Sequence, residues 1–155
     1  MCKCSGKCGC NITSTTKGEK GDSGNTSVLT TKVTLTTAQI LALFTTPIQL
    51  VAAPGASLAI QVIKSSARIN YNTVPYATNL VLGIGSPTAS VSQETITGLL
   101  GASIIKIQNG LAIGSTASET QLISNAAVNV SALVGNPTAG NSSVDIYLTY
   151  RIIAL

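Results

Sequence analysis

An all-β sandwich, wound as a jelly roll or a Greek key, is the fold this sequence predicts, and three observations point to it. Over residues 28–155, short segments rich in Val, Ile, Leu and Thr are broken by Gly, Pro and Asn turns, spaced roughly eight to twelve residues apart as in sandwiches. Helix signals are sparse, clearest over the short stretch 36–43. The last stretch, Val144 to Leu155, keeps a period of two, with Val144, Ile146, Leu148, Tyr150 and Ile152 on one side and Asp145, Tyr147, Thr149 and Arg151 on the other. Many short strands with almost no helix must bury their apolar faces against a second sheet.

In order, Val28 to Leu35 is β-branched and partly alternating, and reads as a strand. Thr36 to Leu43 reads as a capped helical turn, with Thr37 as its N-cap and Ile40, Leu41 and Leu43 buried. Pro47 ends it, and Ile48 to Ala53 forms a short apolar strand that stops at the Pro54-Gly55 turn. Ser57 to Tyr71 is the first long strand. Leu58, Ile60, Val62 and Lys64 alternate along its first half, whereas Ala67, Ile69 and Tyr71 continue beyond Ser65-Ser66, so a bulge is expected at the serine pair.

Beyond the Asn72–Thr78 loop, Asn79 to Gly85 is a strand. Glu94 to Leu100 fits a helical turn or a strand, and Gly98 and Gly101 weaken both. Ser103 to Gln108 reads as a strand that turns at Asn109-Gly110, with Leu111 to Ile113 pairing back across it. Gln121 to Ser124 and Ala127 to Val134 read as strands around a break at Asn125, and a Gly135–Gly140 loop leads to the final, central strand.

Ahead of this body lie two different pieces. Residues 1–16 open with a C-x-C-x3-C-x-C cluster, Cys2, Cys4, Cys8 and Cys10. Three readings stand open for it: a zinc site, cross-links between subunits, and a plug of reduced thiols. In each the head is an attachment point, because a segment so short has no core of its own. Residues 17–27 contain K-G-E-K-G-D-S-G, with Gly18, Gly21 and Gly24 at the every-third spacing of a collagen triple helix. They form a linker or neck.

Composition narrows function. The chain has no histidine and so lacks the commonest general base and metal ligand. The body's carboxylates Glu94, Glu119 and Asp145 are widely separated, and Gly83-x-Gly85 is too short for a phosphate loop. A non-enzymatic protein without a cofactor is expected. Charged residues are 9% of the chain, and the net charge of +4 divides evenly between the first 27 residues and the body. With no basic stripe and no interleaved aromatics, nucleic acid is not an expected partner. No run is long or apolar enough to span a bilayer, so no membrane role is expected. The N-terminus also lacks the apolar core of a signal peptide.

The body resembles a domain of structural proteins of tailed bacteriophages, including head-fibre proteins of the crAss-like group. The matching residues are L-T-T-A-Q-I from Leu35, P-I-Q-L-V-A-A-P-G-A at Pro47–Ala56, I-N-Y-N-T-V-P-Y-A-T at Ile69–Thr78, G-N-P-T-A-G at Gly135–Gly140 and Y-L-T-Y-R-I at Tyr147–Ile152. The resemblance covers residues 28–155 and implies a homotrimeric β-domain displayed on the virion surface, held by its N-terminus to a capsid or other virion protein. Asp145, Tyr147 and Arg151 are then candidate subunit-interface residues. Tyr71 and Tyr76 are candidate outer-loop contacts, for a partner such as a host surface glycan. Rival readings are a glycan-binding surface adhesin and a disulfide-linked exosporium or appendage subunit.

Overall fold

A computed structural model describes residues 27–85, 92–112 and 122–155. The cysteine cluster and the glycine triplets lie outside these residues, as do the loop at 86–91 and the segment at 113–121. The strands are β1 (Leu29–Leu35), β2 (Ile48–Val51), β3 (Leu58–Asn70), β4 (Leu82–Gly85), β5 (Ser92–Ile96), β6 (Lys106–Asn109), β7 (Leu111–Ala112), β8 (Val128–Ala132) and β9 (Ser143–Ala154), with one short helix, α1 (Thr37–Leu41).

Two antiparallel sheets face each other. The first runs β1-β9-β3-β6 and the second β2-β8-β4-β5-β7. The chain passes between sheets at nearly every connection, and apart from the added β7 this is the winding of a jelly roll, two Greek keys folded together. β9 is central, as its alternation predicts. It pairs with β1 from Leu29–Tyr150 to Leu35–Val144, and with β3 from Leu58–Ala154 to Asn70–Ser143.

The core fills the space between the sheets. Ile60, Ala67, Ile69, Val144, Ile146 and Leu148 come from the first sheet, and Leu82, Ile84, Ile96, Val128 and Val130 from the second. Each fully buried Leu or Ile contributes roughly 1.5–3 kcal/mol. α1 closes one side with Ile40, and Leu43 just beyond it is equally buried. Its N-cap is Thr36, one residue earlier than expected. The Thr36 hydroxyl accepts from the Gln39 N–H while the Gln39 side chain accepts from the Thr36 N–H, a reciprocal capping box.

Three local expectations are corrected. The bulge in β3 lies between Val62 and Lys64 rather than at the serine pair. It makes Ile63 an extra residue, 46% exposed, and moves the inward set from even to odd numbers. Ile60 and Val62 lie opposite Ile152 and Tyr150, whereas Ser65 and Ala67 lie opposite Leu148 and Ile146. The second correction concerns Asn109-Gly110, which is not a hairpin turn. Asn109 ends β6 in the first sheet, Gly110 carries the chain across, and Leu111 pairs with Thr95 of β5 in the second. Finally, residues 122–125 form no strand, and Asn125 instead sits at φ +51° in a turn.

Candidate functional site

The residues named from sequence fall in two places: the outward face of the first sheet, and the loops at one end of the sandwich. Directly paired residues in an antiparallel sheet point to the same side, so the register fixes that outward face. Asp145 stands between Thr34 and Arg68, Tyr147 between Lys32 and Ser66, Thr149 between Thr30 and Lys64, and Arg151 beside Gln61. On β6, Ile107 extends the Arg68 row and Asn109 the Ser66 row.

Asp145, Tyr147 and Arg151 thus share a face, as expected, and each has partners within its own chain. Asp145 is only 5% exposed. It accepts the Thr34 hydroxyl at 2.7 Å and pairs with the Lys32 ammonium at 3.1 Å. The Thr34 hydroxyl, and then Lys32 and Asn70, hold the Asp145 carboxyl below its ordinary range against the opposing effect of burial. The hydrogen bond to Asp145 raises the Lys32 ammonium in turn. Lys32 Nζ also lies 5.5 Å from the centre of the Tyr147 ring, a cation–π contact on a ring 37% exposed. Arg151 Nε donates to Gln61 Oε1 at 2.6 Å.

The loop end is held together by asparagine side chains. Asn141 Oδ1 accepts from the Thr73 and Val74 N–H groups, and its amide donates to the Thr73 hydroxyl at 2.7 Å. Asn136 Oδ1 accepts from Phe44 and Thr45 in the same manner. Ala77 and Thr138 exchange two backbone hydrogen bonds of 2.7 Å, joining the 72–78 loop to the 135–140 loop.

Tyr76, expected as an outward contact, is a core residue at 2% exposure. Its hydroxyl donates to the Ser142 carbonyl and its N–H to the Leu100 carbonyl. Burial raises its phenol above the ordinary tyrosine range. The ring packs on Gly140, where a Cβ would lie 2.3 Å from Tyr76 Cδ1 and where φ is +86°. The loop needs an anchor there, because each buried backbone group must find a partner. Tyr71 stays half-buried near the surface, its hydroxyl donating to the Thr73 carbonyl at 2.7 Å.

One polar cluster escaped the sequence reading. Glu94 points inward between Ile84 and Ala112, 7% exposed, and Ser65 faces it from β3 at 0%. They converge on Gly110, where a Cβ would stand 2.1 Å from Ser65 Oγ and 2.6 Å from Glu94 Oε2. Those two oxygens have no hydrogen-bond partner among the described residues. The signal available in sequence was Glu94 itself, a carboxylate in an otherwise core-facing position of a strand.

No protein-family model matches the chain, and no curated protein is similar to it. A chain of the cyanophage Pam1 capsid asymmetric unit is similar in structure, with 16% identity and a TM-score of 0.48 over 84% of this chain and 87% of that one. At that score the likeness carries no conclusion about this chain.

Proposed function

We propose that this chain is a structural virion subunit of a tailed bacteriophage, a homotrimeric head fibre or capsid decoration protein. Residues 1–16 attach it to another virion protein, residues 17–27 set a stand-off, and the sandwich is displayed outward. The carrying observation is the free edge at β6. Among the described residues β6 pairs with β3 on one side only; Ile107 on it is 65% exposed, and Ile104 and Ile105 just before it are 66% and 58% exposed. An unpaired strand edge lined with large aliphatic side chains invites a neighbouring protein chain. A subunit made for assembly carries such an edge, which would be a liability on a free monomer.

Two further features support the reading. Jelly rolls are common among viral capsid and lectin domains, an analogy at the level of fold. The chemistry of the described residues also suits a scaffold better than a catalyst, since Glu94 and Asp145 lie on different sheets and Asp145 is tied to Lys32. The reading assigns no catalytic role and invokes no cofactor. The phage resemblance carried by the Ile69–Thr78 and Gly135–Gly140 loops involves segments that meet in space through Ala77 and Thr138.

Light scattering on the purified chain, with and without reductant, tests the assembly. A trimer in both conditions is expected, with Ile105→Lys plus Ile107→Lys shifting it toward monomer. A reduced monomer that becomes a large polymer when oxidised refutes the trimer and supports a disulfide-built appendage. Deleting residues 1–24 should leave a folded trimer that no longer attaches to particles.

A further inference from the structure

The basic residues look scattered in sequence, yet the fold collects them. Among the described residues they are Lys32 on β1, Lys64 and Arg68 on β3, Lys106 on β6 and Arg151 on β9, all in the first sheet. Lys32, Lys64, Arg68 and Arg151 point to its outward face by register, and Lys106 is exposed on its edge strand. The carboxylate on that face is Asp145, already paired with Lys32. Among the described residues Lys64, Arg68 and Arg151 make no ion pair, although Arg68 stands opposite Asp145, so four cations share one carboxylate. The second sheet is different, because its outward positions Gln49, Thr95, Asn129 and Ser131 are neutral.

We infer that the outward face of the first sheet binds a linear acidic polysaccharide, with Lys64, Arg68 and Arg151 meeting its anionic groups. The spacing suits an extended chain. Lys64 and Arg68 are four residues apart on one strand, about 13 Å, and Arg151 lies on the next strand two residues beyond Thr149, which is opposite Lys64, so about 8 Å from Lys64. Ser66 and Thr149 stand between these cations, and Thr30, Gln61 and Asn109 flank them. Their hydroxyls and amides donate and accept hydrogen bonds as sugar hydroxyls do.

Charge selects against other occupants. An isologous contact between two copies through this face would bring like charges together, and a heterologous one onto the second sheet would meet the neutral positions Gln49, Thr95, Asn129 and Ser131. Single-stranded nucleic acid needs aromatic platforms on which bases stack. Here Tyr147 is the outward aromatic, and Lys32 covers its ring. The assignment rests on the fold and its charge layout, and it stands whether or not the chain belongs to a virion.

Affinity electrophoresis of the full chain tests it, using gels that contain polygalacturonate, dextran sulfate or uncharged dextran, with DNA oligonucleotides in competition. Retardation by both acidic polymers, weakening with salt, and none by dextran is the expected result. Lys64→Gln, Arg68→Gln and Arg151→Gln combined should weaken apparent affinity by about tenfold or more. Replacing Lys3, Lys7, Lys17 and Lys20 by Gln should change it little. Circular dichroism and native mass establish that both variants are folded. Absence of retardation, retention of affinity in the triple variant, loss of affinity in the N-terminal variant, or tighter binding to DNA than to polygalacturonate would each overturn the assignment.

Discussion

Replacing Gly140 by Ala should cost far more than replacing Gly98, although both glycines are left-handed. Gly98 sits at φ +70° with no atom within 4 Å of the place a Cβ would take, whereas Gly140, at φ +86°, faces the Tyr76 ring with three of its atoms at 2.3–2.6 Å. A left-handed alanine costs roughly 1–2 kcal/mol in backbone strain, and that is the whole expected loss for Gly98→Ala. At Gly140 the ring must also move. It cannot swing freely, because its hydroxyl is bound to Ser142 and its backbone to Leu100. Overpacking of that kind adds roughly 1–3 kcal/mol, so Gly140→Ala should lose about 2–5 kcal/mol in all. Urea unfolding followed by far-ultraviolet circular dichroism, at one fixed protein concentration, measures both. If the two variants lose the same stability to within about 0.5 kcal/mol, Tyr76 does not press on Gly140 and the account of this loop is wrong.

Tyr76→Phe should cost only about 1 kcal/mol, since the Ser142 carbonyl keeps the Thr37 hydroxyl at 3.3 Å. Burial raises the Tyr76 phenol above 10.0, so its share of stability is complete below pH 10 and fades as pH climbs through the folded value. The Phe variant should therefore lose less stability than the parent in urea titrations above pH 10. Asp145 is shifted the other way, below 3.8. Its contribution is present above that value and disappears as pH falls through the folded one, so Asp145→Asn should flatten the acid limb of an unfolding profile. An unchanged acid limb would mean that the Thr34 and Lys32 contacts contribute nothing. Asn141→Ala strips the acceptor from the Thr73 and Val74 amides and should cost about 1–3 kcal/mol, with faster hydrogen exchange at those two amides.

The sheet layout was legible wherever side-chain period and burial agree. Val144 to Ile152 announced a central strand because both neighbours, β1 and β3, demand one apolar face. The parity change in β3 was also visible, yet its position was not. Ser65 was available as a bulge residue by type, but its small side chain fits the interior opposite Leu148, and the bulkier Ile63 was left outside. Asn109-Gly110 carries a strong hairpin signal, and tertiary pairing overrode it by placing Leu111 beside β5. Tyr76 looked like a surface residue because it sits in a loop with Pro75. Only the approach of the distant Gly140 and Ser142 made it a core anchor. The charge layout was the least legible, since Lys32, Lys64, Arg68 and Arg151 become neighbours only through strand pairing across the chain's whole length.

The way β1 is seated gives the molecule a directional mechanical strength. A pull on whatever precedes Leu29 is carried first by β1, which among the described residues is paired in the first sheet with β9 alone. Force along the strand axis would shear the pairs from Leu29–Tyr150 to Leu35–Val144 together. Force across it would open them one after another, starting at Leu29. β9 behind it is braced by its long pairing with β3, so tension should detach β1 before it disturbs the rest of the sandwich.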